Sequence, residues 1–184
     1  LATRTRHGEL GNAPLLMWGM SAGGQFNYEF AGWKPERVLA FIVNKGGIYH
    51  SALLPRAARE VPGMFFVGGK DLPSRIATVT GLFAVNRRAG ALWALAEEPN
   101  AAHVVGRSRD LALKFFEDVL ALRLAENGSL KPIPNKTGLV GDPQAKTIRP
   151  FSPDSPDDYP SVWLPTERVA RAWLAVITEQ PFEN

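Results

Sequence analysis

Three side chains in this sequence could together attack a carbonyl: Ser21, Asp71 and His103. A serine hydroxyl is a poor nucleophile until a base takes its proton, and an imidazole base needs a partner that fixes its tautomer. Each of the three stands just beyond an apolar run. Ser21 lies in Gly19-Met20-Ser21-Ala22-Gly23, directly after Leu15-Leu16-Met17-Trp18. Asp71 ends Gly68-Gly69-Lys70-Asp71, after Met64-Phe65-Phe66-Val67. His103 follows Leu92-Trp93-Ala94-Leu95-Ala96 through Glu97-Glu98-Pro99-Asn100-Ala101-Ala102. G-x-S-x-G between a strand and a helix is the nucleophile-elbow pattern, in which a strained serine backbone lifts its hydroxyl clear of a sheet. The spacing predicts a turn with no room for side chains at Gly19 and Gly23. It also puts the Ala22 amide at a helix N-terminus, where partial positive charge favours an oxyanion.

Each residue also has a plainer reading. The pentapeptide is compatible with a glycine-rich βα turn holding an ordinary serine. Gly-Lys-Asp-Leu-Pro around Asp71 is good turn chemistry. Glu97 and Glu98 are rival acids, but they precede His103 too closely in sequence to face it. Among the remaining histidines, His7 reads as solvated, and His50 as a surface or pocket-wall residue on the same sheet edge. Met20, Tyr49 and His50 are the candidates for substrate contact. Met20 and Trp18 also suit packing beside the serine, and Phe26, Tyr28 and Tyr49 suit the wall of an acyl or alcohol pocket.

The elements that must position these residues follow from periodicity. Residues 1–12 are polar and basic, the end of a helix and a Gly-Asn turn. Pro14 to Trp18 is the elbow strand. Ala22 to Trp33 reads as a helix on the spacing of Phe26, Phe30 and Trp33. Val38 to Val43 is a continuous apolar run, as expected of a strand buried on both faces. A short helix over Leu54–Glu60, a third strand at Met64–Val67, a helix over Arg75–Arg88 with Ile76, Val79, Leu82 and Phe83 on one side, and a fourth strand at Leu92–Ala96 come next. The following helix starts at Ser108, carries Asp110 in its first turn and buries Leu111, Phe115, Val119 and Leu122. This alternation predicts an α/β fold with a mostly parallel sheet and flanking helices. The triad candidates then all lie at the carboxyl ends of strands, where open α/β sheets bind ligands. The strand order expected is elbow strand, Val38 strand, Met64 strand, Leu92 strand.

From Ala125 to Pro165 prolines and small polar residues dominate, so the stretch is an ordered wrap or a tail and not one regular element. Phe151, Tyr159, Val162 and Trp163 favour a wrap. A last helix over Pro165–Ile177 follows, and its Trp173, like Trp163, reads as core packing. The expected organisation is residues 1–124 as the catalytic portion, with 125–184 as a C-terminal extension packed on the same domain.

Composition narrows the function classes. A chain of 184 residues with 45% hydrophobic and 21% charged residues is long enough for one globular domain. The net charge of +3 is spread over scattered bases such as Arg4, Arg6, Arg87, Arg88, Arg107 and Arg109, so no basic stripe points to nucleic acid. There is no cysteine and there are only three histidines, which argues against a thiolate or histidine-rich metal centre. No cofactor is expected, and no apolar run reaches membrane-spanning length. No signal peptide is read either, and the leading Leu1 is expected to lie downstream of the translational start.

Gly19-Met20-Ser21-Ala22-Gly23, Gly68-Gly69-Lys70-Asp71 and His103 ahead of the last sheet-covering helix resemble the catalytic half of an α/β-hydrolase, over about residues 10–124. The longer string Gly19 to Gly24 is similar to the elbow of the esterase branch that holds poly(3-hydroxybutyrate) depolymerase-like and feruloyl esterase-like enzymes. The resemblance implies a carboxylic ester hydrolase with Ser21 as nucleophile, His103 as base and acid, Asp71 as orienting acid and Ala22 N–H as one oxyanion donor. In that superfamily the elbow follows four earlier strands and a loop that gives the second oxyanion amide. Residues 1–14 are too few to form them. An N-terminal segment or a partner chain completing the sheet is therefore expected, and a non-catalytic binding or structural subunit is the alternative. The edge of the elbow strand should be covered by another chain, a second copy or the stretch 125–165.

Overall fold

The computed structural model describes residues 2–134, 137–152 and 160–182. Its main sheet has four parallel strands, β1 (Leu15–Met20), β2 (Val38–Asn44), β3 (Gly63–Gly68) and β4 (Trp93–Glu98), side by side in chain order, as the alternation predicts. Met20 pairs with Asn44, Asn44 with Phe66, and Phe66 with Ala96, so all four strands end along one edge. Every residue of β2 and β3 is buried, which is why both read as unbroken apolar runs. After a short N-terminal turn α1 (Ala2–Thr5), the helices are α2 (Ala22–Trp33) on β1 and β2, α3 (Arg56–Arg59), α4 (Pro73–Arg88) on β3 and β4, and α5 (Ser108–Arg123) on β2.

Aromatic rings fill the space between sheet and helices. Phe65 meets Trp93 at 5.0 Å and Phe41 at 5.9 Å, and Tyr28 from α2 closes on Trp93 edge-on at 6.0 Å. The Trp93 indole donates to the Val61 carbonyl, so its one polar atom is satisfied. At the end of α5, Arg123 is buried and donates to the Val38 and Leu39 carbonyls. Burial among neutral acceptors pushes its guanidinium down to about 10.

Three local expectations change. First, only Phe30 of the Phe26–Phe30–Trp33 stripe packs against the core. Phe26 and Trp33 are 61% and 70% exposed, while Gly24, Asn27, Tyr28 and Ala31 are buried. At the turn the helix lies too close to the strands for a side chain at Gly24, further along Tyr28 fills the space to the sheet, and Phe26 and Trp33 lean on Phe30 from outside. Second, Leu122 is 42% exposed, although Leu111, Phe115 and Val119 are buried as expected. Third, the expected helix at 54–60 is a single turn. Helix α5 does start at Ser108, whose hydroxyl donates to the Val105 carbonyl and accepts from Asn44 Nδ2.

The extension holds more regular structure than its composition suggests. Strands β5 (Leu139–Asp142), β6 (Thr147–Pro150) and β7 (Val162–Leu164) form an antiparallel sheet in the order β6-β5-β7. It is followed by α6 (Glu167–Ile177), capped by Thr166, whose hydroxyl accepts from Val169 N–H at 3.2 Å. Trp163 and Trp173 are fully buried, and their indoles donate to the Thr137 and Leu95 carbonyls. Tyr159 lies outside the described residues. Of the described part of 125–165, β7 packs on β4, at the opposite edge of the main sheet from β1, while Leu130 to Pro134 lie by Pro35, Glu36 and Val61. The expectation that this stretch covers the elbow strand is thus not met by those residues. Among the described residues β1 pairs only with β2, and Leu16 is 40% exposed.

Candidate active site

The elbow owes its shape to two contacts. Ser21 has φ 53° and ψ −121°, a left-handed conformation that L-residues rarely adopt, and its N–H donates to the Asn44 carbonyl at 2.8 Å. The chain turns straight from β1 into α2, so a Cβ on Gly19 would sit 2.3 Å from the Gly23 backbone. The second crowded glycine is Gly24, not Gly23. A Cβ on Gly24 would lie 3.0 Å from the Gly19 carbonyl and 3.1 Å from Asn44 N, whereas at Gly23 it would meet nothing within 4 Å. The Gly19-to-Gly24 spacing matters because a residue at 24 is directed back at the strands, while one at 23 is directed outward. Gly19→Ala should therefore cost about 1–3 kcal/mol through overpacking. Gly23→Ala should be neutral or slightly stabilising through helix propensity. Urea unfolding midpoints of the two variants read the difference.

Asp71 and His103 meet as the sequence order suggests. His103 Nδ1 lies 2.9 Å from Asp71 Oδ2, and the Asp71 side chain is only 4% exposed. The other carboxylate oxygen, Oδ1, accepts from Leu72 N–H at 2.7 Å and from Arg75 Nη1 at 2.6 Å. Arg75 Nη1 is also 3.2 Å from His103 Nδ1. With Nδ1 donating to Asp71, that contact is two donors converging on one carboxylate, and the tautomer leaves Nε2 as the ring's acceptor. Burial raises the Asp71 pKa, but hydrogen bonds from His103, Leu72 and Arg75 and the Arg75 charge outweigh it and hold the carboxyl below its ordinary value.

Asn44 ties the elbow to the histidine loop. Its carbonyl takes the Ser21 N–H, and its side-chain amide donates to the Val105 carbonyl at 3.3 Å and to Ser108 Oγ at 2.7 Å. Ser21 and His103 thus stand on the same sheet edge, joined through one residue, although no hydrogen bond links them among the described residues. Such bonds are often open until substrate binds. Ala22 is exposed at the first turn of α2, where helix amides have no acceptor inside the helix.

The other candidates are less coherent. Met20 ends β1 beside the serine and is half-buried. Tyr49 packs edge-on against Tyr28 at 5.0 Å, and its hydroxyl lies against Gly46 without a partner. Burial drives its phenol pKa strongly upward, so it stays protonated. His50 is exposed, and its backbone N–H donates to Glu29 Oε1, which leaves it as a surface residue. Arg75 and Asn44 were not singled out by the sequence. The i, i+4 spacing of Asp71 and Arg75 across a helix start was a signal for the first. Asn44, one apolar run away from the elbow, carried none. Among the described residues no group of three or more His, Asp or Glu could hold a metal ion, and no helix is long and apolar enough to cross a membrane.

No protein-family model and no curated protein matches the chain. One solved structure is similar, a protein of Klebsiella pneumoniae subsp. pneumoniae provisionally named a dienelactone hydrolase. It is 21% identical, and the match covers 58% of this chain and 50% of that one at a TM-score of 0.41. The chain thus spans about half the length of that structure.

Proposed function

We propose that this chain carries the catalytic portion of a serine hydrolase of the α/β-hydrolase class, acting on carboxylic esters through an acyl-serine intermediate. The observation that carries the reading is a left-handed serine at a strand-to-helix turn, on the same sheet edge as a buried aspartate that holds a histidine through Nδ1. In the proposed reaction Ser21 Oγ attacks the ester carbonyl carbon while its proton passes to His103 Nε2. The Ala22 N–H, at the positive end of α2, donates to the oxyanion. His103 then gives its proton to the departing alkoxide as the C–O bond breaks. Water, deprotonated by the same nitrogen, attacks the acyl-serine, and the proton then returns to Ser21 Oγ as the C–Oγ bond breaks and the acid is released. Asp71 keeps Nδ1 protonated and stabilises the imidazolium that forms twice in each cycle.

Short connections between Ser21 and Asp71 and between Asp71 and His103 favour an open site for small or polymer-end esters. Met20 and Tyr49 remain candidates for its walls. The edge of β1, which carries no strand among the described residues, and the exposed Phe26 and Trp33 of α2 support a further proposal, that a strand from another segment or chain completes the sheet there. They are also what a non-catalytic subunit docked on a partner would display.

A fluorophosphonate probe separates the two readings. The hydrolase reading expects covalent labelling at Ser21, abolished by Ser21→Ala; a protein that resists the probe at millimolar concentration sinks it. The pH profile gives a second check. An imidazole base acts only in its neutral form, so kcat/KM should climb with pH and then level off. Asp71 adds no limb there. Its folded pKa is depressed, so it stays ionised above about pH 4, and its contribution to stability is lost only as pH falls through the lower folded value. An acid limb placed near pH 4 would count against His103 as the base.

A further inference from the structure

Glu98, one of the rival acids in the sequence, is turned away from His103 and into the base of the loop that carries it. The residue ends β4, and its side chain is 7% exposed. One carboxylate oxygen, Oε1, accepts from Lys45 Nζ at 2.6 Å, and the Lys45 side chain is fully buried. The other, Oε2, accepts from the Arg107 backbone N–H at 2.7 Å. That bond is a chord across loop 99–107, and His103 lies within the span it closes. Gly106 makes it possible. With φ 59° it passes so close to the carboxylate that a Cβ there would lie 2.1 Å from Oε2. The Glu98 carbonyl accepts from Gly69 N–H at 2.9 Å and Ala101 N–H at 3.1 Å, and Ala101 in turn accepts from Lys70 N–H at 2.9 Å. The same residue therefore fastens the turn that carries Asp71.

The other half of the network reaches the nucleophile. Lys45 directly follows Asn44, in the left-handed region at φ 52°, and its ammonium also donates to Asn44 Oδ1 at 3.2 Å. Asn44 holds the Ser21 N–H on one side and the Val105 carbonyl on the other. A buried ion pair of this kind is poor value for stability, because desolvation of both charges offsets their attraction and an apolar pair can serve as well. What it supplies is short, directional, charge-assisted hydrogen bonds at fixed places. We propose that the buried Lys45–Glu98 pair is a positioning device that sets the His103 loop, and the Asp71 turn beside it, relative to Ser21. The proposal rests on the reading of His103 as the base.

The test uses the full chain carrying Lys45→Met with Glu98→Leu, which replaces the pair by apolar side chains, and Glu98→Gln alone, which keeps the shape and removes the charge. Three readings are taken: thermal melting, kcat and KM on a p-nitrophenyl ester, and the imidazole ¹⁵N spectrum that reports the His103 tautomer. With the fold retained, kcat should fall about 10- to 100-fold, the scale of a misplaced catalytic group, with KM nearly unchanged. The Nδ1–H tautomer of His103 should lose population. A folded double variant with the parent kcat and an unchanged His103 spectrum overturns the proposal. So does failure of both variants to fold, which would make the pair a structural brace. If the parent chain shows no Ser21-dependent ester turnover, the hydrolase reading fails separately, and the His103 spectrum alone then decides whether the pair orders the loop.

Discussion

On the proposed mechanism Ser21→Ala should lower ester turnover by about 10⁴- to 10⁶-fold with the fold intact, because without a serine nucleophile the remaining groups could only assist direct attack by water. Ser21→Gly should be equally inactive but more stable than Ser21→Ala, by about 1 kcal/mol or more, because glycine adopts the φ 53° conformation without the penalty a Cβ brings. The pair separates the two consequences of the elbow. Loss of activity in both tracks the missing hydroxyl, and the stability difference between them tracks the strain. Retention of most turnover in Ser21→Ala would remove the nucleophile assignment. Equal stability of the two variants would mean that the strained backbone is relaxed in solution. Initial rates and urea unfolding of the same preparations provide both numbers.

Asp71→Asn should cost about 10⁴-fold in kcat while KM stays nearly constant. The amide has the size of the carboxylate, so the loop geometry survives. However, its NH₂ group can face Nδ1 only if that nitrogen gives up its proton, which places the proton on Nε2, the position needed to accept one from Ser21. The developing imidazolium would also lose its negative partner. Arg75 aggravates both effects. Its Nη1 lies 2.6 Å from Asp71 Oδ1 and 3.2 Å from the His103 ring, a cation that the carboxylate now neutralises. In Asp71→Asn it would face the imidazolium uncompensated. Adding Arg75→Met should therefore restore part of the lost rate, and an unchanged rate in that double variant would show that the guanidinium has no influence on the base. The depressed Asp71 pKa makes a companion statement about stability. The parent chain should lose a stabilising contribution as pH falls below the ordinary carboxylate range, and Asp71→Asn should be flatter there.

The sequence by itself determined the α/β alternation, the parallel strand order and the three triad candidates at strand ends. These are local properties. β2 is an unbroken apolar run because both of its faces are covered, and Ser21 is recognisable because its turn demands glycine at fixed neighbouring positions. Trp163 and Trp173 were legible as core because their size leaves few other places for them. Tertiary structure decided what lies between those points. Phe26, Phe30 and Trp33 have perfect helical spacing, yet periodicity cannot tell which side of α2 faces the sheet. The close approach at Gly24 and the space that Tyr28 fills turned the side with Gly24, Asn27, Tyr28 and Ala31 inward. In the proline-rich extension β7 depends on cross-strand partners far apart in sequence, such as Val140 with Trp163, so no local pattern announces it. The same holds for the site's supports. Asn44 and Lys45 stand at the end of β2 and Glu98 at the end of β4, and only the parallel pairing of β2, β3 and β4 brings them together at the base of the His103 loop. Chemistry-bearing residues declare themselves by their type and turn, whereas the groups that hold them in place are defined by contacts that exist only once the chain has folded.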